Sequence, residues 1–144
     1  MRYLKIYEVL YKASNAATTE EKIAILKDND TLALRDVLRA SFDDSIVFLL
    51  PAGVPKFKSM LSNEGLAPSD LQRCTTRFTY FVKGGEGDKI NQLKRESIFM
   101  QILEGIHPED AEVVCAMKEK TLSTKFPGIT KDLVKATWPK LIAK

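Results

Sequence analysis

Tyr3, Leu4, Tyr7, Leu10 and Tyr11 recur at three- and four-residue spacing, the period of an amphipathic helix with one apolar stripe. Asn15 and the small residues after it end that first helix. Thr18-Thr19-Glu20-Glu21 has the form of a capping box, with Thr18 placed to accept the N–H of Glu21. The helix it opens carries Ile23, Ile25 and Leu26 and stops near Asp28-Asn29-Asp30. Asp30 can cap a third helix, whose stripe is Leu34, Val37, Leu38 and Phe42.

The middle of the chain reads differently. Asp43-Asp44-Ser45 is a turn, and Ile46–Leu50 is a short apolar run that fits either a strand or a buried helix. Pro51-Ala52-Gly53-Val54-Pro55 breaks either one, and the composition stays loop-like to Pro68. Long irregular connections of this kind often carry function in compact domains. Ser69 can cap a fourth helix with Leu71, Cys74, Phe78 and Val82 inward, although alternation at Phe78–Val82 leaves a strand open for its second half. Gly84-Gly85-Glu86-Gly87 ends that element. Asp88 is the expected cap of a fifth helix (Ile90, Leu93, Ile98, Ile102, Leu103), closing at Gly105 in a left-handed conformation. Pro108 suits the first position of a sixth helix, with Glu109, Asp110 and Glu112 favourable in its first turn. Thr130 caps a seventh, which presents Leu133, Val134 and Trp138 and stops before Pro139. The expected fold is one domain over residues 1–144, all-α or predominantly α, with six or seven helices and room for a minor short strand pair.

Composition narrows the class. The 144 residues are 44% hydrophobic and 28% charged, ordinary values for a globular domain able to build its own core. Cys74 and Cys115 are too few for a disulfide framework, and both fall within apolar periodicity, where a thiol acts as a small hydrophobe. No apolar run approaches the roughly 18 residues of a membrane span, and a cytoplasmic location is expected. The net charge of +3 is modest, but its distribution is uneven. Residues 54–95 carry +4, residues 96–117 carry −5 and residues 118–144 carry +5. An acidic stretch therefore lies between two basic ones.

Candidate chemistry is sparse. Gly84-Gly85-Glu86-Gly87-Asp88-Lys89 invites comparison with a phosphate loop, but Glu86 and Asp88 put negative charge where the phosphate would sit. His107-Pro108-Glu109 matches half of a zinc-deaminase signature without the P-C-x-x-C half, and one imidazole with two scattered thiols does not complete a tetrahedral site. No nucleophile elbow accompanies the single histidine. The expectation is a protein that is not an enzyme, with no metal and no cofactor.

Arg73, Arg77, Lys83, Lys94 and Arg95, with Lys89, interleave with Phe78, Tyr80 and Phe81. Cations suit phosphates and exposed aromatic faces stack bases, so this set is the candidate surface for DNA or RNA. The competing reading makes the aromatics core and the cations a solvated face. Val54, Phe57, Met60 and Leu61 are the candidate anchors for a protein partner. The lysines from Lys118 onward resemble solubilising surface. Trp138 reads as the anchor that docks the tail.

Several blocks stand in a familiar order: Leu34-Arg35-Asp36-Val37-Leu38, Phe48-Leu49-Leu50-Pro51-Ala52-Gly53-Val54-Pro55, Phe81-Val82-Lys83-Gly84-Gly85, Lys94-Arg95-Glu96-Ser97-Ile98-Phe99 and Leu103-Glu104-Gly105-Ile106-His107-Pro108-Glu109-Asp110-Ala111. With Ala116-Met117-Lys118 and Gly128-Ile129-Thr130, they resemble a family of small uncharacterised proteins of tailed bacteriophages, particularly T4-like and marine ones. The resemblance implies a phage protein made in a bacterial cytoplasm, acting in phage DNA metabolism or on a host protein. It brings no activity with it.

Overall fold

The computed structural model describes residues 4–50, 53 and 71–141, without the side chains of Gln72, Arg73 and Thr76 or the burial of Gly87. The candidate anchors Val54, Phe57, Met60 and Leu61 therefore lie outside the described residues, as does Ser69. The elements are α1 (Ile6–Asn15), α2 (Thr19–Asp28), α3 (Leu32–Phe42), α4 (Leu71–Cys74), a 3-10 segment (Thr75–Phe81), a 3-10 turn (Glu86–Lys89), α5 (Gln92–Gly105), α6 (Pro108–Glu119), α7 (Leu122–Lys125) and α8 (Lys131–Thr137). The predominantly α fold expected from periodicity is the fold observed.

Helix starts follow local chemistry. Thr18 Oγ1 accepts the N–H of Glu21, and Thr130 Oγ1 accepts that of Leu133, each satisfying an amide that has no partner within its helix. Two expected caps shift, and at the end of α5, which does fall at Gly105, the expected conformation is not adopted. Thr31, rather than Asp30, caps α3 through the N–H of Leu34, while Asp30 pairs with Arg35 at 2.8 Å. Asn91 replaces Asp88 as the cap of α5, accepting the N–H of Lys94 at 2.8 Å. Gly105 does not take a left-handed conformation, and Ile106 follows it in an extended one. A proline two residues further on disfavours helical backbone at His107.

The fourth helix shortens most. Only Leu71–Cys74 is α-helical, and Thr75–Phe81 tightens to 3-10 geometry. Beyond it, Val82 forms a single antiparallel bridge with Phe48. Leu49 N–H donates to Phe81 O and Lys83 N–H to Val47 O, at 2.6 and 2.9 Å. The two stretches left open to strand in the sequence thus meet each other, as one bridge between irregular segments.

Packing centres on α6. Ala111, Val113, Val114, Cys115, Ala116 and Met117 are all buried, and α1, α3, α5 and α7 pack around this helix. Leu10, Leu34, Leu38, Phe81, Ile102, Leu103 and Phe126 join the same core, at about 1.5–3 kcal/mol for each large side chain fully withdrawn from water. Trp138 packs half-buried against it. Leu93 does not; it is 78% exposed, because the buried face of α5 is Phe99, Ile102 and Leu103.

The lysines after residue 117 are not mere solubilising surface. Lys118 is buried, and its ammonium donates to Gly53 O at 2.8 Å and to Glu119. Glu119 in turn accepts the Gly53 N–H at 2.8 Å. Lys120, left-handed at φ 60°, turns its ammonium onto the carbonyls of Ala40 and Asp43 and over the Phe48 ring. A cation there satisfies the carbonyls exposed at the C-terminal end of α3.

Candidate nucleic-acid interface

The 3-10 segment, the turn after it and the start of α5 hold the basic set. Residues 71–95 carry six cations and two carboxylates. Arg77, Lys83, Lys89 and Lys94 are exposed. Both carboxylates are engaged within the stretch. Asp88 accepts the Gly84 N–H at 2.9 Å, and Glu86 lies 3.6 Å from the Lys89 ammonium. The phosphate-loop comparison fails on these bonds: a carboxylate already occupies the Gly84 amide, Gly85 N–H donates to Val82 O and Glu86 N–H to Thr79 Oγ1.

Two features make the turn sharp. Gly84 has φ +87°, a conformation that costs L side chains strain. At Gly85 a Cβ would lie 2.6 Å from Thr79 Oγ1 and 2.7 Å from its carbonyl, so only glycine allows the turn to close on the 3-10 segment.

The other candidate residues divide. Arg95 folds back, donating to Ile90 O at 2.6 Å and Gln92 Oε1 at 2.8 Å, which fixes the entry to α5. The side chain of Arg73 lies outside what is described. Phe78 and Phe81 are buried and Tyr80 is half-buried against the core, and Phe81 meets Phe99 edge-on at 5.4 Å. The aromatics belong to the core, as the competing reading has it, and the cations remain at the surface.

A cleft of about 410 Å³ opens between α3 and this turn, within the roughly 300–1,000 Å³ range of small-ligand sites. Ala40, Ile46, Phe78 and Val82 give it apolar walls, Asp36, Thr75 and Thr79 line it with polar groups, and Arg39, Lys83, Gly84 and Gly85 complete it. Burial pushes the Asp36 carboxyl above its ordinary 3.8, opposed by a hydrogen bond to Thr75 and by Arg39 and Arg35. Sequence reasoning missed this cleft. Asp36 looks like an ordinary polar residue on α3, and its neighbours arrive from residues 75–85, far along the chain.

His107 caps α6, its Nδ1 accepting the Glu109 N–H at 3.1 Å, and its ring stacks on Tyr7 at 4.8 Å. The buried Cys115 thiol is pushed up to about 11, chiefly by burial, far from the low values of reactive thiols. Among the described residues, no three His, Cys, Asp or Glu side chains stand together as a metal set. Among them too, no helix is long and apolar enough to cross a membrane.

These features define a small helical domain whose exposed chemistry is a basic turn beside a cleft. The chain belongs to a family of unknown function, DUF6433, whose profile matches residues 9–124. That span runs from within α1 into α7 and includes both turn and cleft. No curated protein matches the chain.

Proposed function

We propose that this protein is a non-enzymatic accessory factor, encoded by a tailed bacteriophage and working in the host cytoplasm, that binds nucleic acid through the basic turn. One observation carries the reading: Arg77, Lys83 and Lys94 are exposed and stand in no ion pair among the described residues, while Glu86 pairs with Lys89 and Asp88 accepts the Gly84 amide. The surface therefore offers unneutralised cations to a polyanion. With the nearby aromatics in the core, affinity comes from phosphate contacts rather than stacking. No catalytic step is assigned, since His107 Nδ1 is committed to an amide and Cys115 is buried.

Gel shift or fluorescence anisotropy against duplex and single-stranded DNA and RNA, as a function of salt, tests this. Each phosphate neutralised lowers log K by about 0.7 (single strand) to 0.9 (duplex) per decade of salt. Three contacts then give a slope of about −2 to −3. The double variant Lys83→Glu/Lys94→Glu should abolish binding without unfolding the chain. Absence of binding to any nucleic acid at low ionic strength refutes the proposal.

A further inference from the structure

The cleft between α3 and the Gly84-Gly85 turn has a chemistry that phosphate binding does not use. Its cations are at the rim: Arg39, half-exposed and 3.8 Å from the Asp43 carboxylate, and Lys83, exposed. Its carboxylate is on α3, beside a threonine that is itself buried. A ligand matched to that order presents hydrogen-bond donors inward, a flat apolar body to Ile46, Phe78 and Val82, and an anionic group outward.

We propose that this cleft takes an unpaired guanine base, with the Asp36 carboxylate accepting its N1–H and 2-amino group and Lys83 and Arg39 meeting its phosphate. Among the bases, guanine alone sets two adjacent donors on its Watson–Crick edge, and an ionised carboxylate accepts in that bidentate way. Single-stranded nucleic acid is commonly read through that edge, once bases are unstacked. Thymine and uracil offer one donor there. Adenine and cytosine offer an amino group flanked by an acceptor, which a carboxylate repels. The half-buried position of Asp36 strengthens the discrimination, because donors restore what the carboxyl loses on leaving water. This assignment rests on the nucleic-acid reading for a guanine within a strand. The same chemistry also fits a free guanine nucleotide.

Anisotropy of the full-length chain with three labelled strands separates the cases: oligothymidylate, and the same strand with one central guanine or one central cytosine. Guanosine 5′-monophosphate is titrated in parallel by calorimetry. The guanine strand should bind about tenfold more tightly than oligothymidylate, the scale of a good bidentate contact. Asp36→Asn should reduce its affinity to that of oligothymidylate, with circular dichroism and thermal midpoint checking the fold. Equal affinity for all three strands, or equal preference for cytosine, overturns the guanine assignment and leaves the nucleic-acid reading standing. If no strand binds, that reading falls. Binding of guanosine monophosphate, lost in Asp36→Asn, would then assign the cleft to the free nucleotide, and no binding of either would overturn both.

Discussion

Asp110 is fully buried and faces two helix N-termini at once. It is the third residue of α6, and its Oδ1 accepts the N–H of Tyr7, the second residue of α1, at 3.0 Å. Glu8 accepts the Lys5 N–H at 2.9 Å, but Lys5 itself gives the first turn no side-chain cap, so this remote carboxylate caps the Tyr7 amide. Asp110→Ala removes a hydrogen bond to a charged group, about 1.5–3 kcal/mol, and leaves the Tyr7 amide without that acceptor. It also removes a negative charge near two helix dipoles, about 0.3–1 kcal/mol each. The expected loss is about 3 kcal/mol, or roughly 6–12 °C in thermal midpoint for a domain of this size. Asp110→Asn keeps a carbonyl acceptor and should lose about half as much. Glu109→Ala is the control: it deletes a neighbouring carboxylate whose side-chain bond, to the Tyr11 hydroxyl at 3.2 Å, is exposed, and should cost less than about 1 kcal/mol. Circular dichroism melts of the three variants decide. An Asp110→Ala midpoint within about 2 °C of the parent would show that α1 does not depend on this carboxylate.

Further outcomes follow from other contacts. His107→Ala should cost about 1–2 kcal/mol, a cap and a ring contact, and leave nucleic-acid affinity intact; loss of affinity with the fold preserved would reassign His107 to the site. Lys118 and the Gly53 amide hold the Glu119 carboxyl below its usual 4.5. The stability Glu119 contributes is therefore complete above that value and lost as pH falls through its lower folded-state value. Glu119→Gln should flatten that part of the acid limb in melts followed from neutral to acid pH, and an unchanged limb would refute the assignment. Cys74 and Cys115 are both buried, so a thiol reagent at mildly alkaline pH should label neither until denaturant is added.

Much of the fold was legible because local rules decide it. Thr18, Thr130 and Pro108 announce helix starts through side-chain geometry that needs no tertiary partner. At Asp30 and Asp88 the expected caps gave way to Thr31 and Asn91 further along the chain, because moving a cap leaves the apolar stripe of its helix in place and periodicity cannot fix it. Leu93 misled for a different reason: it lies nearly two turns before Phe99, the first buried residue of α5, and stays exposed. The bridge at Phe48 and Val82 shows how far short apolar runs can be read, because each was open to strand but their pairing joins segments far apart in the chain. In the candidate interface, the exposed cations were legible as a charge-dense stretch. The burial of Phe78 and Phe81 was a tertiary outcome, and Asp36 met its partners only through folding.

The pairing of the first helices with the last has a consequence for synthesis. α1 and α2 pack together, but α1 receives its cap from Asp110 and its Ser14 hydroxyl donates to Pro127 O at 2.6 Å, while α2 rests against α8. A ribosome extends the chain at about 5–20 residues per second, so the α1–α2 hairpin waits several seconds with its inner face bare. Closing so long a loop also places these contacts late in folding. The nascent hairpin is thus a target for chaperones or for a neighbouring nascent copy on the same message, and crowded translation is where this protein is most exposed to misassembly.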